Sequence, residues 1–202
     1  MEFNRRRPKM YYSFSDGGVV DMTIGVASPN YEESDGGPID LQEMIRRQMA
    51  AESSLIPGQK SHAGAVGLAQ FTPIAQKEVV RLGIMGEGWN PEDPTQARDA
   101  MTGYMEYLYD RPWVNAENSD PMVAWAKALY AYNAGTGTAV KSLNELKEKG
   151  YDIYNSLDWI NEINDESRGY IEKVNFMDTE AGRQFQSDWP TYEKRWTQIY
   201  GE

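Results

Sequence analysis

The chain has 202 residues, 40% hydrophobic and 25% charged, with a net charge of −11 at pH 7. That balance suits one globular domain with an appendage, and it argues against a protein held to nucleic acid by a broad basic surface. With no cysteine and His62 as the only histidine, disulfides, thiolate metal sites and cysteine nucleophiles are excluded, and serine–histidine triads and multi-histidine metal sites nearly so.

No window approaches the roughly 18 consecutive apolar residues of a membrane span. What chemistry remains rests on carboxylates, hydroxyls and amides, with no metal or cofactor expected.

Residues 1–37 read differently from the rest. Arg5, Arg6, Arg7 and Lys9 make a short basic patch, read as a solvated arm. The apolar run and small-residue cleavage site of a signal peptide do not follow them. Either an export signal has already been removed, or the protein leaves the cytoplasm by another route. Val20, Met22, Ile24 and Val26 alternate with polar or small residues, and Asp16-Gly17-Gly18 is a turn signal after Tyr11, Tyr12 and Phe14. Together they predict a β-hairpin over about residues 10–26. A lone hairpin is barely stable in water, so this arm rests on its own domain or docks on a partner.

From Pro38 onward the pattern is helical. Asp40 with Glu43 makes a capping-box-like start. Leu41, Met44, Ile45, Gln48, Met49 and Glu52 share one helical face. Asp93-Pro94 and Asp120-Pro121 open two further helices, the second ending at Gly135. A fourth spans Thr138 to Lys149, and shorter ones cover residues 166–176 and 190–200. No strand is predicted after residue 38. The fold expectation is thus a mainly α domain over 38–176, preceded by the hairpin arm at 1–37. An aromatic-rich extension at 177–202 packs on the domain or on a partner.

Glu52 is out of place, because it continues the apolar stripe of the first helix. Carboxylates are rarely buried unless paired. It also sits in the last turn, where the helix dipole is negative. Burial and dipole both push its pKa upward, which suits a proton donor to a glycosidic oxygen. The plainer reading is a structural glutamate that meets solvent at the helix end.

The small residues of Ser61-His62-Ala63-Gly64-Ala65-Val66-Gly67-Leu68-Ala69-Gln70 permit close backbone approach to a ligand. Ser61 and Gln70 can then bond sugar hydroxyls and acetamides. Tyr132 and Asn133, in Ala131-Tyr132-Asn133-Ala134-Gly135, can face the same cleft. Ser53 bonds either the helix end or substrate, the former being the commoner fate. His62 reads as a loop residue.

Taken together these strings resemble the lytic transglycosylases related to the soluble lytic transglycosylase catalytic domain, with its lysozyme-like fold. The family pattern joins Glu-Ser, a serine nine residues after the glutamate, Gly-Ala-x-Gly-Leu-x-Gln, Ala-Tyr-Asn-Ala-Gly and Glu-(Ser/Thr)-x-x-Tyr. The matching residues here are Glu52-Ser53, Ser61, Gly64 to Gln70, Ala131 to Gly135, and Glu166-Ser167-Arg168-Gly169-Tyr170. Order and spacing agree over about residues 38–175. Ala69 departs from the methionine often found there, and Gly83 to Asp93 reads as a loop beside the cleft.

The resemblance implies peptidoglycan as substrate and Glu52 as the single acid/base. It implies cleavage between N-acetylmuramic acid and N-acetylglucosamine with a 1,6-anhydro product. Ser53, Ser61, Gln70, Tyr132, Asn133, Glu166 and Tyr170 become the substrate-side residues. Glu166 is expected to be structural or orienting, and Tyr170 to reach either the carboxyl or the sugar, or to sit in the core.

Two alternatives stand beside this reading. One is a hydrolytic lysozyme using Glu87 or Asp93 to activate water. The other is a structural wall-binding component of a phage tail or secretion machine. Residues 1–37 would then dock the domain on a larger assembly acting in the periplasm or cell wall. Oligomeric state stays open.

Overall fold

The computed structural model describes residues 41–116 and 119–201. Among them are eight α-helices, one 3-10 turn at Asp158–Glu162, and two isolated bridges, Lys60 to Val66 and Val66 to Phe71, in place of a sheet. The expected hairpin, the whole 1–37 arm and Asp40 lie outside the described residues.

Three helices begin with the same chemistry. In α2 (Pro73–Arg81) Thr72 Oγ1 accepts from the Ala75 amide at 3.2 Å. In α3 (Pro94–Tyr109) Asp93 Oδ1 accepts from the Gln96 amide at 2.9 Å. In α4 (Pro121–Ala134) Asp120 Oδ1 accepts from Met122 and Val123 at 2.8 and 3.1 Å. Each proline stands in the first turn, where its missing N–H is not needed, and each cap contributes about 1 kcal/mol.

Sequence patterning did not anticipate α2. It fully buries only Val79 and leaves Ile74 82% exposed, so there was no apolar stripe to see. Helix α5 (Thr136–Glu148) starts directly after Gly135, whose φ of 84° breaks the path of α4. That is two residues before the expected start at Thr138.

Helix α4 is the spine: every residue from Val123 to Ala131 is buried. It packs against α3, α5 and α6 (Asp165–Val174). Helix α1 (Leu41–Ser53) lies against α3 and α6 and turns Met44, Ile45 and Met49 inward. Burying each such side chain contributes roughly 1.5–3 kcal/mol.

Two helices follow. The first, α7 (Glu180–Ser187), was not expected; Thr179 caps it through the Gly182 amide at 3.2 Å. The second, α8 (Trp189–Tyr200), packs on α3 and α7. It is tied back twice: Arg195 donates to the Ser54 carbonyl at 2.7 Å, and the Tyr200 hydroxyl donates to the Pro94 carbonyl at 2.8 Å. The Arg46 guanidinium lies 5.2 Å from the ring centre of Trp189 and 5.7 Å from that of Trp196.

Candidate active site

Helix α1 carries Glu52 in its last turn, and the chain then bends sharply. Ser54 and Leu55 take left-handed φ values of 53° and 54°, a costly conformation for non-glycine residues. Buried Leu55 and the Arg195 bond to the Ser54 carbonyl hold that bend. Glu52 keeps part of its surface open to solvent, yet crowding by surrounding protein dominates its electrostatics. The crowding sets the desolvation.

Burial pushes the Glu52 carboxyl up to about 7, the nearby Tyr170 hydroxyl pulls it back down, and the Glu166 charge raises it again. Among the described residues no cation pairs with it. A carboxyl so placed holds its proton near neutral pH and can release it to a basic oxygen.

Two phenols stand near Glu52. Tyr170, buried on α6, faces both Glu52 and Gln48, and burial holds its own pKa well above the usual phenol range. Tyr132, near the end of α4, donates to the Ala69 carbonyl at 2.7 Å and also feels the Glu52 charge. That bond fastens the glycine-rich segment to α4. Phe71 and Tyr104 complete an aromatic wall, with ring centres 5.8 and 5.9 Å from that of Tyr132.

The glycine-rich segment is held by its own polar groups. Gln70, at φ 50°, donates through Nε2 to the carbonyls of Gly67 at 2.7 Å and Gln59 at 3.1 Å. Exposed Ser61 accepts from the Ala65 amide at 3.1 Å. Gly67 explains part of the motif. Its φ is 74°, and a Cβ there would stand 2.0 Å from the Pro91 carbonyl, so only glycine lets the 83–93 loop close on this segment. A Lys60–Glu92 ion pair at 2.8 Å and the edge-on Trp89–Phe71 contact bind the same loop.

The other predicted positions are spoken for within the fold. The Ser53 hydroxyl is buried and donates back to the Met49 carbonyl at 3.1 Å. Asn133 Oδ1 accepts from the Ser167 hydroxyl at 2.6 Å, which couples α4 to α6. Glu166 is exposed on the first turn of α6, one turn before Tyr170. Of the carboxylates weighed as water activators, Asp93 is engaged in capping α3, and Glu87 is exposed in its loop.

Sequence reasoning missed Ser167 and the Ala69 carbonyl, whose parts depend on which distant elements meet. It placed Gln48 on the Glu52 face but gave it no task. Gln48 is fully buried, and its Nε2 donates to the Met105 sulfur at 3.3 Å.

An acid at a helix end, flanked by phenols and a glycine-rich segment within a helical domain, is an arrangement that can protonate a leaving oxygen. The family model for the transglycosylase SLT domain matches residues 38–155, more than half of the chain, and the chain belongs to that family. Its members are lytic transglycosylases that act on peptidoglycan, and so is this enzyme. The match ends before Glu166 and Tyr170. No curated protein matches the chain.

Proposed function

We propose that Glu52 alone performs both proton transfers in cleaving the bond between N-acetylmuramic acid and N-acetylglucosamine. Protonated Glu52 gives its proton to the bridging oxygen as the bond from that oxygen to the anomeric carbon breaks. The resulting carboxylate takes the proton of the muramic acid 6-hydroxyl as that oxygen bonds the anomeric carbon. Glu52 ends protonated, the product is a 1,6-anhydro sugar, and no water is consumed.

What supports this reading is the place of the Glu52 carboxyl at the end of α1, near Tyr170 and Glu166 and with no cation paired to it among the described residues, where burial pushes its pKa up to about 7. A group that must first donate and then accept a proton works best with a pKa near the working pH. Ordinary glycosidases divide these tasks between two carboxylates. Here Asp93 is spent on a helix cap, which favours the one-carboxylate route.

Mass spectrometry of digested peptidoglycan tests it. Anhydro-ended fragments that vanish in Glu52→Gln are expected. Reducing-end fragments, each one water heavier, would establish a hydrolase instead.

We further propose that residues 1–37 deliver the domain to the wall as part of a larger assembly such as a phage particle. The support is the segment's distinct patterning: a basic patch, alternating apolar residues and the Asp16-Gly17-Gly18 turn signal. Deleting it should abolish incorporation and leave activity on purified wall intact. Loss of folding in the shortened chain would count against this.

A further inference from the structure

The end of α1 is built against its own preference. Helices very commonly close on a glycine, which takes the left-handed conformation without strain. Here Ser54 and then Leu55 take it, with φ 53° and 54°, and such residues persist only where their surroundings over-determine them. Two bonds stay within the bend: the Ser54 amide donates to the Ala50 carbonyl at 2.8 Å, and the Ile56 amide to the Ser53 carbonyl at 3.0 Å. Buried Leu55 seats it in the core. A further anchor comes from a distant element. Arg195 of α8 donates to the Ser54 carbonyl at 2.7 Å, across 141 positions of chain. Helix α1 has no basic residue in its last turn, where the helix dipole favours one, and Arg195 brings that charge to the helix end.

Helix α8 has other means of staying in place. Trp196 is buried, the Tyr200 hydroxyl donates to the Pro94 carbonyl at 2.8 Å, and Glu193 pairs with Arg46 at 3.2 Å. What the Arg195 bond adds is a hold on its other partner, the bend two residues after Glu52. Helix ends fray and open more readily than helix middles. A loosened last turn of α1 would carry Glu52 with it, and a small displacement of an acid from its target oxygen costs much rate.

We propose that Arg195 is a positioning residue for the acid: by holding the left-handed bend at Ser54 and Leu55, it keeps the last turn of α1 wound and Glu52 aimed at the glycosidic oxygen. Helix α8 lies beyond the matched residues 38–155, so the working catalytic unit includes a helix that the family model does not cover. The side chains that interact with Glu52 directly are Tyr170 and Glu166 on α6 and Tyr132 on α4; Arg195 acts through the backbone. This rests on the reading of Glu52 as the acid.

The experiment compares Arg195→Met with Tyr200→Phe on the full chain. Methionine keeps much of the stem's packing and removes the donor and the charge. Each variant cuts one tie of α8, so each should lower the melting temperature. Arg195→Met alone should lower kcat on soluble glycan strands by about 10- to 100-fold, the scale of a misplaced catalytic group, with KM within about two-fold of the parent. Amide hydrogen exchange should show Ser54 and Ile56 losing protection in Arg195→Met and keeping it in Tyr200→Phe. Unchanged kcat in folded Arg195→Met, an equal loss in Tyr200→Phe, or a loss of kcat while the Ser54 and Ile56 amides stay protected overturns the proposal.

Should Arg195→Met not fold, the unaltered chain still decides. The Ser54 amide must exchange as slowly as those of Met49 and Ala50 in the same helix, and rapid exchange there would show a bend that nothing holds. Full activity in Glu52→Gln would instead remove the acid that Arg195 places, and water-heavy products would overturn the one-carboxylate route. Both leave the exchange comparison standing.

Discussion

Arg47 and Glu52 are both ionisable residues of α1, both drawn away from water, and treated in opposite ways. Arg47 is 7% exposed, donates to Glu43 at 2.9 Å, and stacks its guanidinium 3.6 Å from the Phe176 ring centre. Glu52 meets a like charge from Glu166 and two phenols, with burial as the dominant influence. Lys127 on α4 falls between them: fully buried and lowered to about 8 by desolvation, yet bonded to the Trp113 carbonyl at 3.3 Å and set over the Tyr154 ring at 4.6 Å. Buried charge that is matched holds a fold together, while buried charge left unmatched costs stability and stays chemically available.

The comparison breaks most visibly at Glu52. Glu52→Gln should lower kcat about 10²–10⁴-fold, the range for a lost general acid or base. The same variant should be more stable than the parent, with a fixed pH dependence. Folding raises the Glu52 pKa from 4.5 to about 7. The folded chain therefore keeps a proton that the unfolded chain has lost across that window. Stability is lost as pH rises through it. Thermal melts should show little gain for Glu52→Gln below pH 4.5 and a gain approaching about 3 kcal/mol above pH 7.

Arg47→Met is the counterpart. It removes a matched charge, so roughly 1–3 kcal/mol of stability should go, from the lost ring contact and the lost ion pair with Glu43, which keeps Arg46 as a neighbour. Denaturant titration reads this, and the alkaline limb of kcat/KM should not move.

Glu166→Lys would give Glu52 the kind of neighbour Arg47 already has. The Glu52 midpoint and the alkaline limb should shift to lower pH. The stability cost should be only about 0.3–1 kcal/mol, for a cation at the start of α6. At the small end, Ile74→Ser on the 82% exposed face of α2 should alter melting stability by no more than about 0.5 kcal/mol.

Much of this was legible in the sequence, for reasons that also mark its limits. Glu52 stood out because a helical period of 3.6 residues put a carboxylate among methionines. Asp93-Pro94 and Asp120-Pro121 announced α3 and α4 through cap chemistry that acts locally. The same signal at Thr72-Pro73 went unread, because α2 has one fully buried residue and periodicity found nothing to follow. The neighbours of Glu52 are a different matter. Tyr132 and Tyr170 could be nominated only through their motifs, since their nearness to Glu52 depends on how α6 packs on both α1 and α4. The coupling of Asn133 to Ser167 and the reach of Arg195 to the end of α1 are properties of packing, which no local pattern encodes.

The central claim is that burial, with no cation paired to it among the described residues, keeps Glu52 an acid at neutral pH. Carbon-13 titration of the Glu52 carboxyl in the unaltered protein measures it directly. A midpoint near 7 is the predicted result. A midpoint near 4.5, the ordinary carboxyl value, would mean that Glu52 is already ionised where the acid step needs its proton, and would contradict the account.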